Sequence, residues 1–144
     1  MPSVRDILAR KGGKVVWSSP DATVLDGARL MNERGIGGLM VCEAGRLLGV
    51  FTERDLMRRV VAERRDPAAT RLREVMTTDV LTTTPDTPVE ACERLMTERR
   101  IRHLPVIGAD GLAGVITSGD LLAYRVAEQA DTIQHLHGYV FDVR

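Results

Sequence analysis

The chain reads Gly49-Val50-Phe51-Thr52-Glu53-Arg54-Asp55-Leu56 in its first half and Gly114-Val115-Ile116-Thr117-Ser118-Gly119-Asp120-Leu121 in its second. The two stretches lie 65 residues apart, and a gapless alignment of residues 20–63 with 85–128 gives 21 identities in 44 positions. Unrelated segments do not agree to this extent, and similarity at a fixed period indicates a repeated structural unit. The chain is therefore a tandem duplication.

Apolar runs and turn residues follow the same order in both halves and predict a β-α-β-β-α unit. In the first half we expect strands over 15–18, 39–42 and 47–51, and helices from 24 and from 52. In the second half we expect strands over 80–83, 104–107 and 112–116, and helices over 89–99 and 118–128. The predicted class is α+β, with two repeated units.

The length of 144 residues suits two small lobes that cover each other's apolar surface, because half of this chain alone would be marginal. We predict a first domain over 1–66 with a helical lead-in, a second over 67–130, and a helical tail over 131–144. The tail carries apolar residues at helical spacing and is interpreted as a cap or a subunit contact.

Twenty basic and twenty acidic side chains leave no net charge, which argues against nucleic acid or a membrane as a partner. No segment is apolar enough to predict a membrane span or a signal peptide, so we expect a cytoplasmic protein. Cys42 and Cys92 have no nearby cysteine and are interpreted as buried thiols. His135 and His137 would diverge on a helix, so no metal site is predicted.

The Thr-x-x-Asp pattern at each strand-to-helix junction, Thr52 with Asp55 and Thr117 with Asp120, has two interpretations. It is a capping box if each side chain bonds the other residue's backbone amide. It is a binding site if the hydroxyl and the first-turn amides face a phosphate while the carboxylate binds the two hydroxyls of a ribose. Gly49 and Gly114, inside predicted strands, indicate a close backbone approach and favour the second interpretation.

These motifs, together with Arg99-Arg100-Ile101-Arg102-His103-Leu104-Pro105-Val106, resemble those of a cystathionine-beta-synthase (CBS) domain pair, also called a Bateman module. The resemblance covers nearly the whole chain and leaves no room for an enzymatic domain, so a stand-alone, non-enzymatic module is expected. It implies that the two repeats pack as a pseudo-twofold pair with two clefts between the lobes, which bind AMP, ADP, ATP, NAD(H) or S-adenosylmethionine.

The resemblance also implies roles for individual residues. Asp55 and Asp120 would bind ribose, and Thr52, Thr117 and Ser118 would bind phosphate. Backbone near Val16, Ser18, Leu81 and Thr83, with Leu39 and Leu104, would frame the adenine.

The two copies differ where charge matters most. Gly37 and Gly38 stand where the second copy has Arg102 and His103, so one copy supplies space and the other supplies positive charge. We therefore predict that Arg102 and His103 bind phosphate in two unequal sites, and that Asp120 matters more than Asp55. Arg54, which stands where the second copy has Gly119, would either reach a phosphate or be a surface residue of the first helical turn. Arg102 and His103 would otherwise be solvated strand-edge residues.

The expected function is an adenine-nucleotide-binding regulatory module in signal transduction that forms a homodimer and acts on an unidentified protein. The alternative is a structural dimerisation adaptor whose ligand sites are degenerate.

Overall fold

The computed structural model describes residues 2–12 and 14–142 of the chain, including their side chains except those at 135 and 137–142. The elements are α1 (Val4–Lys11), β1 (Trp17–Ser18), α2 (Val24–Arg34), β2 (Gly38–Glu43), β3 (Arg46–Thr52), α3 (Glu53–Asp55) with a π-helical continuation (Leu56–Val61), α4 (Leu72–Val75), α5 (Val89–Arg99), β4 (His103–Gly108), β5 (Gly111–Thr117) and α6 (Ser118–Asp142). This order confirms the predicted α+β class with two repeated units.

Two small sheets repeat the same pairing. In the first, β1 runs parallel to β2, and β2 pairs antiparallel with β3 from Gly38 opposite Thr52. In the second, β4 pairs antiparallel with β5 from His103 opposite Thr117, which is the same register 65 residues later. The register shifts after Val41 in one hairpin and after Val106 in the other, so even the irregularity is duplicated.

The strand predicted over 80–83 is wrong, because this segment forms only an isolated parallel bridge between Thr83 and Val106. That bridge is the counterpart of the pairing between Ser18 and Val41 in the first sheet. The helix predicted after Thr52 exists but becomes π-helical from Leu56. The last predicted helix does not stop at 128, since α6 continues without a break to Asp142.

The two hydrophobic cores exchange their lead-in helices. Leu72 and Val75 of α4 pack into the core of the first repeat, with Phe51 and Leu39. Val4 and Ile7 of α1 pack into the core of the second repeat, with residues such as Ile116. The hydrophobic core of each repeat is therefore completed by the helix that precedes the other repeat. This exchange joins the two lobes through their buried cores as well as through their surfaces.

A third cluster lies between the two sheets. Its buried members are Met40, Cys42 and Val50, and partly buried residues from the second repeat, including Val80 and Val115, pack against it. Cys42 is 7% exposed and Cys92 is 0% exposed, which confirms that both are buried thiols. Burial raises the pKa of both thiols, so they remain protonated at neutral pH.

Gly49 and Gly114 do mark close approaches, but the approaching atoms belong to the chain itself. A Cβ atom on Gly49 would lie 2.6 Å from the Thr77 carbonyl oxygen, and one on Gly114 would lie 2.6 Å from Cδ2 of Leu8. The glycines accommodate the exchanged lead-in segments, so they lend no support to a ligand. None of the helices in the described part of the chain is long and apolar enough to cross a membrane.

Candidate functional site

Both Thr-x-x-Asp motifs form capping boxes. The Thr52 amide donates to Oδ2 of Asp55 at 3.0 Å, and the Asp55 amide donates to Oγ1 of Thr52 at 3.3 Å. The Thr117 amide donates to Oδ2 of Asp120 at 2.8 Å, and the Asp120 amide donates to Oγ1 of Thr117 at 3.1 Å. One oxygen of each carboxylate is thus used locally, as the structural interpretation of the motif requires.

The remaining contacts of the two carboxylates differ. Asp55 is only 7% exposed, and its Oδ1 accepts a 3.0 Å hydrogen bond from Oγ1 of Thr77. The Nε atom of Arg59 lies 3.8 Å from the same oxygen. Asp120 instead receives the ammonium group of Lys11 at 2.7 Å on Oδ2. Both copies of the motif therefore cap a helix in the same way, but Asp55 is also bonded to a threonine hydroxyl, whereas Asp120 is also bonded to a lysine ammonium group.

A cleft of about 630 Å³ opens between the repeats beside Asp55, within the usual size range of small-molecule sites. Its walls come from the start of the helix after β3, the segment before α5, the turn between α5 and β4, and the end of β5. The residues that line it are Gly37, Val50, Thr52, Glu53, Arg54, Asp55, Thr77, Asp79, Val80, Leu81, Arg100, Ile101, Arg102, His103, Thr117 and Ser118.

The structure brings most of the sequence-predicted site residues together in this one cleft. The members found there are Thr52, Arg54, Asp55, Leu81, Arg102, His103, Thr117 and Ser118. Val16, Ser18, Thr83 and Asp120 lie outside its lining. Thr83 is buried, with Oγ1 3.8 Å from Sγ of Cys92, so it packs in the interior of its repeat.

Leu39 and Leu104, expected beside an adenine, are completely buried in the two cores, so that expectation is wrong. The apolar wall of the cleft consists instead of Val50, Val80, Leu81 and Ile101. Sequence reasoning missed Thr77, Asp79 and Val80. The signal that could have found them is their position, since they connect one repeat to the other and must cross the interface.

The cleft combines both signs of charge. Its charged side chains are three arginines and three acids, namely Arg54, Arg100, Arg102, Glu53, Asp55 and Asp79. His103 sits where the repeats meet, and a Cβ atom on Gly38 would lie 3.0 Å from its ring. Burial, and after it the positive charge of Lys11, lower the pKa of His103 below its usual 6.5, so the imidazole is neutral at neutral pH.

Arg100 lines the cleft from an unusual backbone position. It follows α5 with φ 54° and ψ 42°, in the left-handed region, where the first repeat has Gly35 with φ 64°. A side chain in this conformation costs about 1–2 kcal/mol relative to the right-handed region. Strain of this kind is often found at functional sites, where it holds a side chain in place.

Among the residues whose side chains are described, no group of histidine, cysteine, aspartate or glutamate could hold a metal ion. The side chains of His135 and His137, for which the sequence predicts no metal site, lie outside the described part.

The fold defines a class of protein built as a tandem pair of similar α+β lobes with a cleft between them. The profile of the CBS domain matches the chain twice, over residues 4–62 and 72–127. The chain belongs to the CBS-domain family, which confirms the resemblance noted from its motifs.

Individual relatives agree over most of their length. The chain is 33% identical to the mitochondrial CBS domain-containing protein CBSX3 of Arabidopsis thaliana over 96% of this chain and 71% of that protein. It is 32% identical to the CBS domain-containing protein YhcV of Bacillus subtilis over 90% of each. A solved structure of a protein with CBS domains from Burkholderia ambifaria superposes with a TM-score of 0.84 at 38% identity, over 89% of this chain and 96% of that one.

Proposed function

We propose that this chain is a non-enzymatic regulatory module that binds an adenine nucleotide, AMP, ADP or ATP, in the cleft beside Asp55. The observation that carries the proposal is the joint lining of one cleft by a carboxylate with two neighbouring hydroxyls, an apolar wall, and arginines from both repeats. These are the groups that a ribose, a base and a phosphate require. NAD(H) and S-adenosylmethionine share the adenosyl part and are the other ligands to test.

Each part of the nucleotide has a counterpart in the cleft. The ribose hydroxyls would bind Asp55, where they would replace the Thr77 hydroxyl that now donates to Oδ1 at 3.0 Å. The base would contact the apolar wall formed by Val80, Leu81 and Ile101. The phosphates would bind the guanidinium groups, which hold phosphate oxygens with two parallel hydrogen bonds.

Contributions from both repeats give the site a way to report on its ligand. Thr52 and Asp55 belong to the first repeat, whereas Arg102 and His103 belong to the second. A ligand that spans both repeats stabilises one arrangement of the lobes over others, and a regulated protein can detect that difference. Signal transduction through such a partner, in the cytoplasm, is the proposed role, although the CBSX3 relative is mitochondrial.

A second candidate function is a structural dimerisation adaptor, because two observations favour it. Both aspartates already serve as caps, which explains the motif without any ligand. In addition, Met57 and Val61 are 57% and 65% exposed, and their counterparts 65 residues later, Leu122 and Val126, are 66% and 57% exposed. Apolar residues exposed at duplicated positions suit a homodimer contact. The nucleotide module proposed above would use the same contact.

Thermal unfolding with a panel of ligands separates the two candidates. A ligand that binds only the folded chain stabilises it by about 2.7 kcal/mol at one hundred times its Kd. We expect AMP, ADP or ATP to raise the Tm by several degrees and CTP at the same concentration to leave it unchanged. If no adenosyl compound, including NAD(H) and S-adenosylmethionine, shifts the midpoint at millimolar concentration, the nucleotide-binding function is wrong and the adaptor is the candidate that is left.

A further inference from the structure

The ammonium group of Lys11 lies on the second copy of the Thr-x-x-Asp motif. Its Nζ donates to Oδ2 of Asp120 at 2.7 Å and to the carbonyl oxygen of Val115 at 2.7 Å. The side chains of Lys11 and Asp120 are 30% and 20% exposed, so the ion pair is shielded from much of the solvent. An ion pair in such surroundings is stronger than one on an open surface.

The duplicated position in the first repeat shows what Lys11 replaces. There the Thr77 amide donates to the Val50 carbonyl oxygen at 2.9 Å, and the Thr77 hydroxyl donates to Oδ1 of Asp55 at 3.0 Å. Val50 and Asp55 are the counterparts of Val115 and Asp120. At the second site one lysine ammonium therefore contacts the same carbonyl and the same carboxylate that a threonine contacts at the first, although it donates to the capping oxygen Oδ2 of Asp120, whereas Thr77 donates to Oδ1 of Asp55.

The lead-in segments explain why the two sites differ. Leu8 and Met76 occupy the same place, against Gly114 and Gly49 respectively. α4 is four residues long and ends before Met76, which is extended with ψ 156°, so that the chain then pairs with β3. α1 is eight residues long and continues to Lys11. Because α1 is longer than α4, it places Lys11 where the extended segment after α4 lies in the first repeat.

We propose that Lys11 is a built-in counter-ion that occupies the ribose-binding carboxylate of the second site, so that each chain binds one nucleotide, beside Asp55. The inference rests on the proposed function. A ribose is uncharged, and its hydroxyls cannot replace an ammonium group without leaving the carboxylate with an unpaired charge in a partly buried place. Thr77, which is neutral, yields to a ribose at much lower cost.

This assignment reverses the order expected from the sequence. The sequence places Arg102 and His103 in the second copy, which is why Asp120 is expected there to be the more important aspartate. In the structure Arg102 and His103 line the cleft beside Asp55, and the cation that contacts Asp120 is Lys11, which the sequence did not single out.

The ion pair is tested first without any nucleotide. The chain contains only two lysines, Lys11 and Lys14, so lysine labelled with carbon-13 at the ε position gives two resolvable signals. We expect Asp120→Asn to shift the Lys11 signal and to leave the exposed Lys14 signal in place, and Asp55→Asn to move neither. If Asp120→Asn leaves the Lys11 signal unchanged, the pairing does not exist in solution and the inference is overturned.

Calorimetric titration with ATP tests the consequence. We expect one ATP per chain for the wild type and for Lys14→Met, and two for Lys11→Met, which keeps the aliphatic stem and removes the charge. In the Lys11→Met background, Asp55→Asn should leave one site, and adding Asp120→Asn should remove it. Two sites in the wild type, or one site in both the wild type and Lys11→Met, overturn the inference.

Failure of the proposed function gives a different result. If the wild type binds no ATP but Lys11→Met binds one, the function proposed for the Asp55 cleft is wrong and the role of Lys11 is supported. If neither protein binds, both proposals are overturned.

Discussion

The imidazole of His103 fills the space beside Gly38, where a Cβ atom would lie 3.0 Å from both Cε1 and Nε2 of the ring. This contact joins the two repeats at positions that occupy the same place in each, so one copy supplies the room that the other copy's side chain needs. Gly38→Ala should therefore force the ring to move.

We expect Gly38→Ala to lower the free energy of unfolding by about 1–3 kcal/mol, as overpacking usually does. Gly37→Ala is the matched control, because the nearest atoms to its Cβ atom would be those of the Glu53 carboxyl group, at 3.4 Å and beyond. Urea denaturation measures both. A loss at Gly37 as large as the loss at Gly38 would show that the His103 contact is not the cause.

The neutral state of His103 makes stability depend on pH. Burial, and after it the positive charge of Lys11, lower the pKa of His103 in the folded chain. As the pH falls through about 6.5, the unfolded chain therefore binds a proton at this histidine and the folded chain does not. The free energy of unfolding therefore decreases as the pH falls below about 6.5, and the decrease ends when the pKa of His103 in the folded chain is reached.

His103→Gln should be free of this loss. The stability of the wild type minus that of His103→Gln, from urea curves between pH 8 and pH 5.5, should stay constant above about pH 7 and decrease below it. The other two of the three histidines are present in both proteins and cancel in the difference. An increase toward acid pH would mean that His103 is charged in the folded chain.

Gly49 and Gly114 provide a matched pair in which only the neighbour differs. A Cβ atom on Gly49 would strike the Thr77 carbonyl, which is backbone held by two hydrogen bonds to Val50. A Cβ atom on Gly114 would strike the end of the Leu8 side chain, which can rotate away. Gly49→Ala should thus be the more destabilising by at least about 1 kcal/mol in urea. Equal losses would show that the Thr77 backbone yields as easily as the Leu8 side chain.

Arg100 should show opposite effects on stability and binding. Arg100→Gly relieves about 1–2 kcal/mol of backbone strain but adds about 0.4–1 kcal/mol of entropy to the unfolded chain. We expect a small net gain in stability and a several-fold loss of ATP affinity, since the guanidinium group leaves the cleft. Arg99→Gly, in the last helical position of α5, should instead lose about 1 kcal/mol. A less stable Arg100→Gly protein would refute the strain argument.

Periodicity and duplication predicted most of the fold. The hairpins and the helix Val24–Arg34 follow from local signals, namely apolar runs, a capping threonine and a left-handed glycine just after the helix. The exchange of α1 and α4 between the cores has no local signal, because either helix could cover either repeat. The exchange is visible only where Val4 and Leu72 meet their partners in three dimensions. The division into domains at 66 and 130 stays a prediction.

The candidate site was predictable to the extent that it lies in the motifs. Thr52 and Asp55 come from the repeated stretch, and Arg102 and His103 come from a comparison of the two copies. The sequence could not show that the aspartates of the two motifs have different neighbours in the structure. That difference depends on how far α1 extends, and hence on where the ammonium group of Lys11 comes to lie.

Calorimetric titration of AMP into the wild type, Asp55→Asn and Asp120→Asn tests the central claim most directly. Both substitutions weaken a capping box, so a loss of affinity confined to one of them is not explained by the loss of the cap. The account predicts that Asp55→Asn lowers the affinity at least about tenfold, or 1.4 kcal/mol, while Asp120→Asn leaves it within about twofold of the wild type. Binding by Asp55→Asn that matches the wild type would contradict the account.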